Sequence, residues 1–212
     1  MTLQVKICGL TTPEAVEAAK EADFAGFIFY PPSPRYLTPA KAAQLAENLR
    51  PSAVAVVVDP DDELLQDVAT TLKPNYFQLH GQETPARVSE IREKFGISVI
   101  KAIRVASADD VVAANAFEDC VDMLLFDARP PQNLPRGLPG GNGVAFDWPI
   151  LANRKFSKPW FLSGGLTVDN MAEAVRISGA KMVDVSSSLE SAPGVKDPKL
   201  VKEFVRKVKG LG

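Results

Sequence analysis

A chain of 212 residues, 46% hydrophobic and 24% charged, has the composition of a folded globular protein with one substantial core. Its formal net charge of -2, without a basic run, leaves no electrostatic footprint for nucleic acid or an anionic membrane surface. Two cysteines and one histidine exclude a disulfide framework, a cysteine metal cluster and a site of several histidine ligands. No apolar run approaches the length of a membrane span, and the expectation is a cytoplasmic protein without nucleic-acid or membrane partners.

Residues 3–8 read as a strand whose alternation puts Lys6 and Cys8 on one face and Val5 and Ile7 on the other. A helix is predicted over 13–22, with proline in its first turn. Residues 24–29 are nearly all apolar, as in a strand buried on both faces. The proline-rich stretch 30–36 is a loop, and Thr38-Pro39 opens a helix to about residue 49. The cycle repeats with a strand at 53–58 and a helix whose first turn holds Asp61, Asp62 and Glu63, where the helix dipole favours acids. Further strands are predicted at 76–80, 98–103, 122–126, 159–162 and 182–185, and further helices at 84–95, 107–117, 147–152, 167–178 and 198–208. The long loop 128–145 is rich in proline and glycine. Eight strand–helix alternations at roughly 25-residue spacing predict an α/β protein, a single (β/α)8 TIM barrel over 1–212. A doubly wound open sheet is the alternative, but eight units with no leftover edge favour closure.

Barrels place chemistry at the C-terminal ends of their strands. Those ends carry Cys8, the Arg35 loop, His80, Asp127, Ser163-Gly164-Gly165 and Asp184-Val185-Ser186-Ser187. The last two are small-residue turns after strands seven and eight, where backbone N–H groups bind phosphate in such folds. Ordinary turn chemistry is the competing reading of either one alone. Asp127 ends an apolar strand beneath the long loop, and a carboxyl group shielded from water there suits a general acid; a turn cap is the alternative. Arg35, held between Pro34 and Tyr36, is suited to clamp a carboxylate bidentately unless it is merely solvated. His80 donates a hydrogen bond into the site or serves as a core or capping histidine. Cys8 is either a reactive thiol or a small buried hydrophobe. A thiol acting as base near neutral pH needs help, and Lys6, one pleat below it, is the candidate for lowering its pKa. Asp147 reads as a helix cap.

The motifs Lys6-Ile7-Cys8-Gly9-Leu10-Thr11, Gly26-Phe27-Ile28-Phe29-Tyr30 with Ser33-Pro34-Arg35-Tyr36, and Gln78-Leu79-His80-Gly81 resemble the phosphoribosylanthranilate isomerase family of tryptophan biosynthesis. So do Gly140-Gly141-Asn142-Gly143 with Phe146-Asp147-Trp148, Leu162-Ser163-Gly164-Gly165-Leu166 and Asp184-Val185-Ser186-Ser187, and the resemblance runs through the chain in register. It implies an Amadori rearrangement of a phosphorylated aminofuranose bearing anthranilate, without cofactor or metal, in a monomer or homodimer. By resemblance, Cys8 is the general base and Asp127 the general acid. Arg35 holds the anthranilate carboxylate, His80 and Asp184 contact substrate, and Gly164, Gly165, Ser186 and Ser187 form the phosphate site. Ser188 departs from the family, which usually has glycine there, and either shifts the loop or adds a hydroxyl donor. An Amadori isomerase acting on an aminoimidazole would be expected to use paired carboxylates, against which Cys8 argues. An idle phosphate-ligand scaffold would have lost Cys8 or Asp127, and both are present.

Overall fold

The computed structural model describes residues 3–128 and 147–211. Eight parallel strands, β1 (Gln4–Cys8), β2 (Phe24–Ile28), β3 (Ser52–Val57), β4 (Tyr76–Leu79), β5 (Ser98–Val105), β6 (Met123–Ala128), β7 (Trp160–Leu162) and β8 (Met182–Val185), close into a barrel in chain order. The helices α1 (Pro13–Ala18), α2 (Pro39–Ala46), α3 (Asp62–Thr71), α4 (Pro85–Phe95), α5 (Ala108–Ala113), α6 (Met171–Ser178) and α7 (Pro198–Lys209) alternate with the strands. One recurrent device starts four of them. Thr12, Thr38, Thr84 and Asp197 each accept a first-turn N–H on the side-chain oxygen, and each is followed by proline, whose missing N–H costs nothing there.

Strand parity divides the core. Outward residues such as Val5, Ile7, Phe27 and Phe77 pack under the helices, while Phe24, Val54, Val56, Ile100, Ala102, Leu125, Phe161 and Met182 fill the barrel interior. Phe24 meets Phe161 edge-on with centroids 5.2 Å apart. On the same inward parity, the upper positions change character to Lys6 and Cys8, Gln78 and His80, Arg104, Asp127, Ser163 and Asp184. An apolar floor thus supports a polar mouth at the C-terminal ends.

Several boundaries differ from the sequence expectation. β5 runs on to Val105 and β6 to Ala128, which brings Arg104 and Asp127 into register as ladder partners. The apolar pattern stops before the strands do because the inward positions at the mouth are polar. α6 begins at Met171 rather than Thr167 because Asn170 Oδ1 accepts from Thr167 N at 2.7 Å and Thr167 Oγ1 from Asn170 N at 3.1 Å, holding the chain in a turn. α5 is short and passes into a single 3-10 turn at Ala114–Phe117. Asp147 stands at the start of another, Trp148–Leu151, but its side chain accepts no capping hydrogen bond, contrary to expectation. A hairpin that the strand–helix rhythm does not announce, β9 (Glu190–Ala192) with β10 (Val195–Lys196), follows β8. Its local signal is Pro193-Gly194, a turn dipeptide between two short extended pieces. Residues 129–146, which include the Gly140–Gly143 motif and Phe146, lie outside the described residues. Among those described, no helix is long and apolar enough to cross a membrane.

Candidate active site

The structure brings the predicted residues to one rim. Cys8 ends β1, and the ladder places it beside Gly26 of β2. A β-carbon at Gly26 would stand 3.0 Å from Cys8 Sγ and 3.2 Å from Lys6 Nζ, so the glycine makes room for both side chains. Lys6 is fully buried and donates to Asp184 Oδ1 at 2.9 Å; Ser163 Oγ donates to Asp184 Oδ2 at 3.2 Å. Both Asp184 oxygens are therefore engaged inside the barrel. Burial alone would push the Lys6 ammonium down, but the neighbouring Asp184 carboxylate and Cys8 together outweigh it and the net direction is up. The Cys8 thiol is pushed up by burial, and Asp184 adds to that; Lys6 pulls the other way without reversing it. Lys6 thus lowers the thiol's pKa as expected, but not by enough to bring it below its ordinary value. Desolvation in the dry barrel exceeds the help of one cation already paired with Asp184.

At the end of β6, Asp127 is 4% exposed. Its Oδ1 accepts from Ala128 N at 3.0 Å, and its Oδ2 lies 3.2 Å from His80 Nε2. His80 follows β4, and its Nδ1 is 3.0 Å from Gln78 Nε2, one inward position below. Arg104, absent from the sequence candidates, sits beside Asp127 and donates from Nη2 to the His80 carbonyl at 3.0 Å. Parity alone marks it, two residues past inward-facing Ala102.

Between β1 and β6 lie β8 and β7, whose loops carry the expected phosphate turns. Gly164 and Gly165 have positive φ, +85° and +61°. A β-carbon at Gly164 would come within 2.7 Å of Ala128 N, so only glycine lets this turn lie against the end of β6. Among the described residues, the N–H groups of Gly164, Gly165, Ser187 and Ser188 donate to no protein acceptor, which leaves them for an anion. Ser186 Oγ is used differently from the sequence expectation, donating to the Cys8 carbonyl at 3.0 Å. Ser188 is not in the left-handed region, so no glycine is required, and its hydroxyl donates to the Leu166 carbonyl, joining the two loops.

Arg35 is buried at 4% exposure, not solvated. Its Nε and Nη2 donate to Glu190 Oε1 and Oε2 at 2.6 and 2.9 Å, and Lys196 Nζ reaches Glu190 at 2.5 Å. Among the described residues Nη1 carries no hydrogen bond, so one edge of the guanidinium remains available. Gly9, at φ +77°, lets the Arg35 stem cross the end of β1, where a β-carbon would meet Cδ at 2.5 Å. The hairpin docks by Gly194, where a β-carbon would strike the Pro34 carbonyl. Burial alone would raise the Glu190 carboxyl, but Arg35 and Lys196 outweigh it and hold it below the usual range. The hairpin residues Glu190 and Lys196 were not legible as site components, because their partner lies 155 residues away from Glu190. Among the described residues no group of three His, Cys, Asp or Glu side chains is placed to hold a metal ion.

A family model described as N-(5'-phosphoribosyl)anthranilate (PRA) isomerase matches residues 5–207. The chain belongs to that family. A relative from Parvibaculum lavamentivorans named N-(5'-phosphoribosyl)anthranilate isomerase is 48% identical over 213 aligned residues, 99% of each chain. The structure superposes with a TM-score of 0.83 on monomers generated from a dimeric phosphoribosylanthranilate isomerase of Thermotoga maritima, 33% identical, over 99% of this chain and 100% of that one. A phosphoribosylanthranilate isomerase in complex with reduced 1-(o-carboxyphenylamino)-1-deoxyribulose 5-phosphate gives the same TM-score of 0.83 at 34% identity, again over 99% and 100% of the two chains. The TIM barrel of this phosphoribosylanthranilate isomerase family member is thus the architecture of its solved relatives, and the chain is an isomerase.

Proposed function

We propose that the protein converts N-(5'-phosphoribosyl)anthranilate to 1-(2-carboxyphenylamino)-1-deoxyribulose 5-phosphate in tryptophan biosynthesis, with Asp127 as general acid and Cys8 as general base. The observation that carries this reading is the order around the rim: the thiol on β1, the two amide-lined loops of β8 and β7, and the carboxyl on β6 form one continuous arc. A substrate anchored by its phosphate over the middle of that arc presents its sugar to both groups. Asp127 gives its proton to the furanose oxygen as the C1–O bond breaks, forming the protonated imine. Cys8 as thiolate then takes the C2 proton, and the electrons of that bond neutralise the iminium to an enolamine. Tautomerisation places a hydrogen on C1 and leaves the ketone at C2.

Each proton transfer by a positioned group contributes about 10²–10⁴-fold, and phosphate anchoring adds orientation. The free edge of Arg35 suits the anthranilate carboxylate, with Glu190 and Lys196 holding the guanidinium in place. Asp184 acts from behind by keeping Lys6 charged below the thiol, and His80 holds Asp127. A chain of 1–212 folded as one domain, as monomer or homodimer, and a reducing cytoplasmic setting, which keeps a thiol base free, complete the proposal. The test is a fluorescence assay of anthranilate turnover with purified protein and no added metal or cofactor. Conversion to the ribulose product is expected; unchanged substrate at high enzyme concentration would contradict the reading.

A further inference from the structure

Gln78 is fully buried on the inner face of β4, with Val56 and Ile100 as its ladder partners. A primary amide among apolar side chains is costly unless both of its ends are hydrogen-bonded. Only one end is. Nε2 lies 3.0 Å from His80 Nδ1, while Oε1 is buried without a partner among the described residues. An apolar side chain of the same length would fill this place without that cost, so packing does not account for the amide. Its contact with the imidazole does.

With the amide in this orientation its nitrogen donates, and His80 Nδ1 accepts with its lone pair. The neutral ring then carries its hydrogen on Nε2, which faces Asp127 Oδ2 at 3.2 Å. The opposite tautomer would set two lone pairs against each other once Asp127 is ionised. With Ala128 N donating to Oδ1 at 3.0 Å, two N–H groups converge on the carboxylate that remains when Asp127 has given up its proton. The other charged group at His80 is Arg104, which binds the backbone carbonyl and not the ring; Lys101 and Glu83 pair with each other at 2.7 Å beyond Gly81.

We propose that Gln78 is a positioning residue that fixes His80 as the Nε2–H tautomer and thereby orients Asp127 and stabilises its conjugate base. The proposal rests on Asp127 being the general acid. Its logic is that of a second residue setting which ring nitrogen is protonated.

The chain has a single histidine, so nitrogen-15 spectra of histidine-labelled enzyme report this ring alone. The neutral wild-type ring is expected to be protonated at Nε2 and bare at Nδ1. At a pH where it is ionised, Gln78→Glu offers Nδ1 only an acceptor, and should move a hydrogen onto it and lower kcat by about tenfold or more while KM changes by less than about threefold. A wild-type ring protonated at Nδ1 overturns the proposal whether or not any variant folds. So does a Gln78→Glu enzyme whose ring has switched while kcat is unchanged. If Asp127→Asn keeps normal kcat, the general-acid reading fails instead, and the wild-type spectrum tells the two failures apart.

Discussion

The two ends of the proposed catalytic arc are built on different physical terms. At the base end, Cys8 stands over a buried ion pair, Lys6 with Asp184, which joins residues 178 positions apart where β1 meets β8. At the acid end, Asp127 is held on Oδ2 by a chain of hydrogen bonds through His80 to Gln78, and separately on Oδ1 by the neighbouring Ala128 N–H. The comparison teaches that each group is tuned by what must be stabilised around it. A thiolate needs positive charge nearby in a dry site, and Lys6 supplies it against the cost of burial. A carboxylic acid that must give up its proton needs donors aimed at the anion it becomes, and these are N–H groups.

The comparison is broken most severely by removing the proposed base. Cys8→Ser should lower kcat towards the upper end of the ~10²–10⁴-fold range for one proton-transfer group, because an alcohol is far less acidic than a thiol and is not ionised. Binding of the reduced product analogue should stay within a few-fold. Full activity would return Cys8 to the role of a small buried hydrophobe.

Lys6→Met strikes the ion pair instead. It leaves the Asp184 carboxylate buried with the Ser163 hydroxyl but no cation, and should cost about 3–5 kcal/mol in chemical denaturation. Lys6→Met combined with Asp184→Leu should recover much of that loss, because the uncompensated charge is gone. The sign for the thiol follows from the same contact. Lys6 pulls the Cys8 thiol down against burial, so its removal should shift alkylation of Cys8 to still higher pH. An unshifted alkylation profile in a folded variant would show that Lys6 holds the strand and does not tune the thiol.

At the other end, Asp127→Asn keeps size and hydrogen bonding but has no acidic proton to give. A loss of kcat of at least ~10²-fold with KM nearly preserved is expected. Near-normal turnover would make Asp127 a structural residue.

Between the two ends, Arg35→Met should raise KM by more than it lowers kcat, by about tenfold, since a carboxylate clamp contributes mostly uniform binding. The Glu190 carboxyl that holds Arg35 lies below its ordinary range, so its contribution is fully present above the unfolded-state value. That contribution is lost as pH falls through the lower folded-state value. Protection of the β9–β10 hairpin amides, taken relative to their intrinsic exchange rates, should therefore fall in acid, and Glu190→Gln should remove that fall.

The barrel was legible because alternation, proline-led helix starts and small-residue turns are local signals, each repeated along the chain. Cys8, Asp127, His80 and the Gly164-Gly165 turn were legible for the same reason, as polar or glycine residues ending apolar strands. What stayed hidden depends on pairing across the sheet. Arg104 fell just past the apolar run that defines β5, and only its register with Asp127 reveals it. Glu190 and Lys196 become site residues only when their hairpin folds back onto the Arg35 loop. Lys6 suggested help for the thiol, but the size of the burial opposing it is a property of the closed barrel.

The assignment of base and acid is tested most directly by isotope substitution at carbon 2 of the substrate sugar. In Cys8→Ser, removal of the C2 proton becomes the slow step, and the deuterated substrate should turn over distinctly more slowly than the protiated one. In Asp127→Asn, ring opening limits the rate before that bond is touched, and the two substrates should react alike. An isotope effect expressed in Asp127→Asn and absent in Cys8→Ser would reverse the assignment and contradict the account.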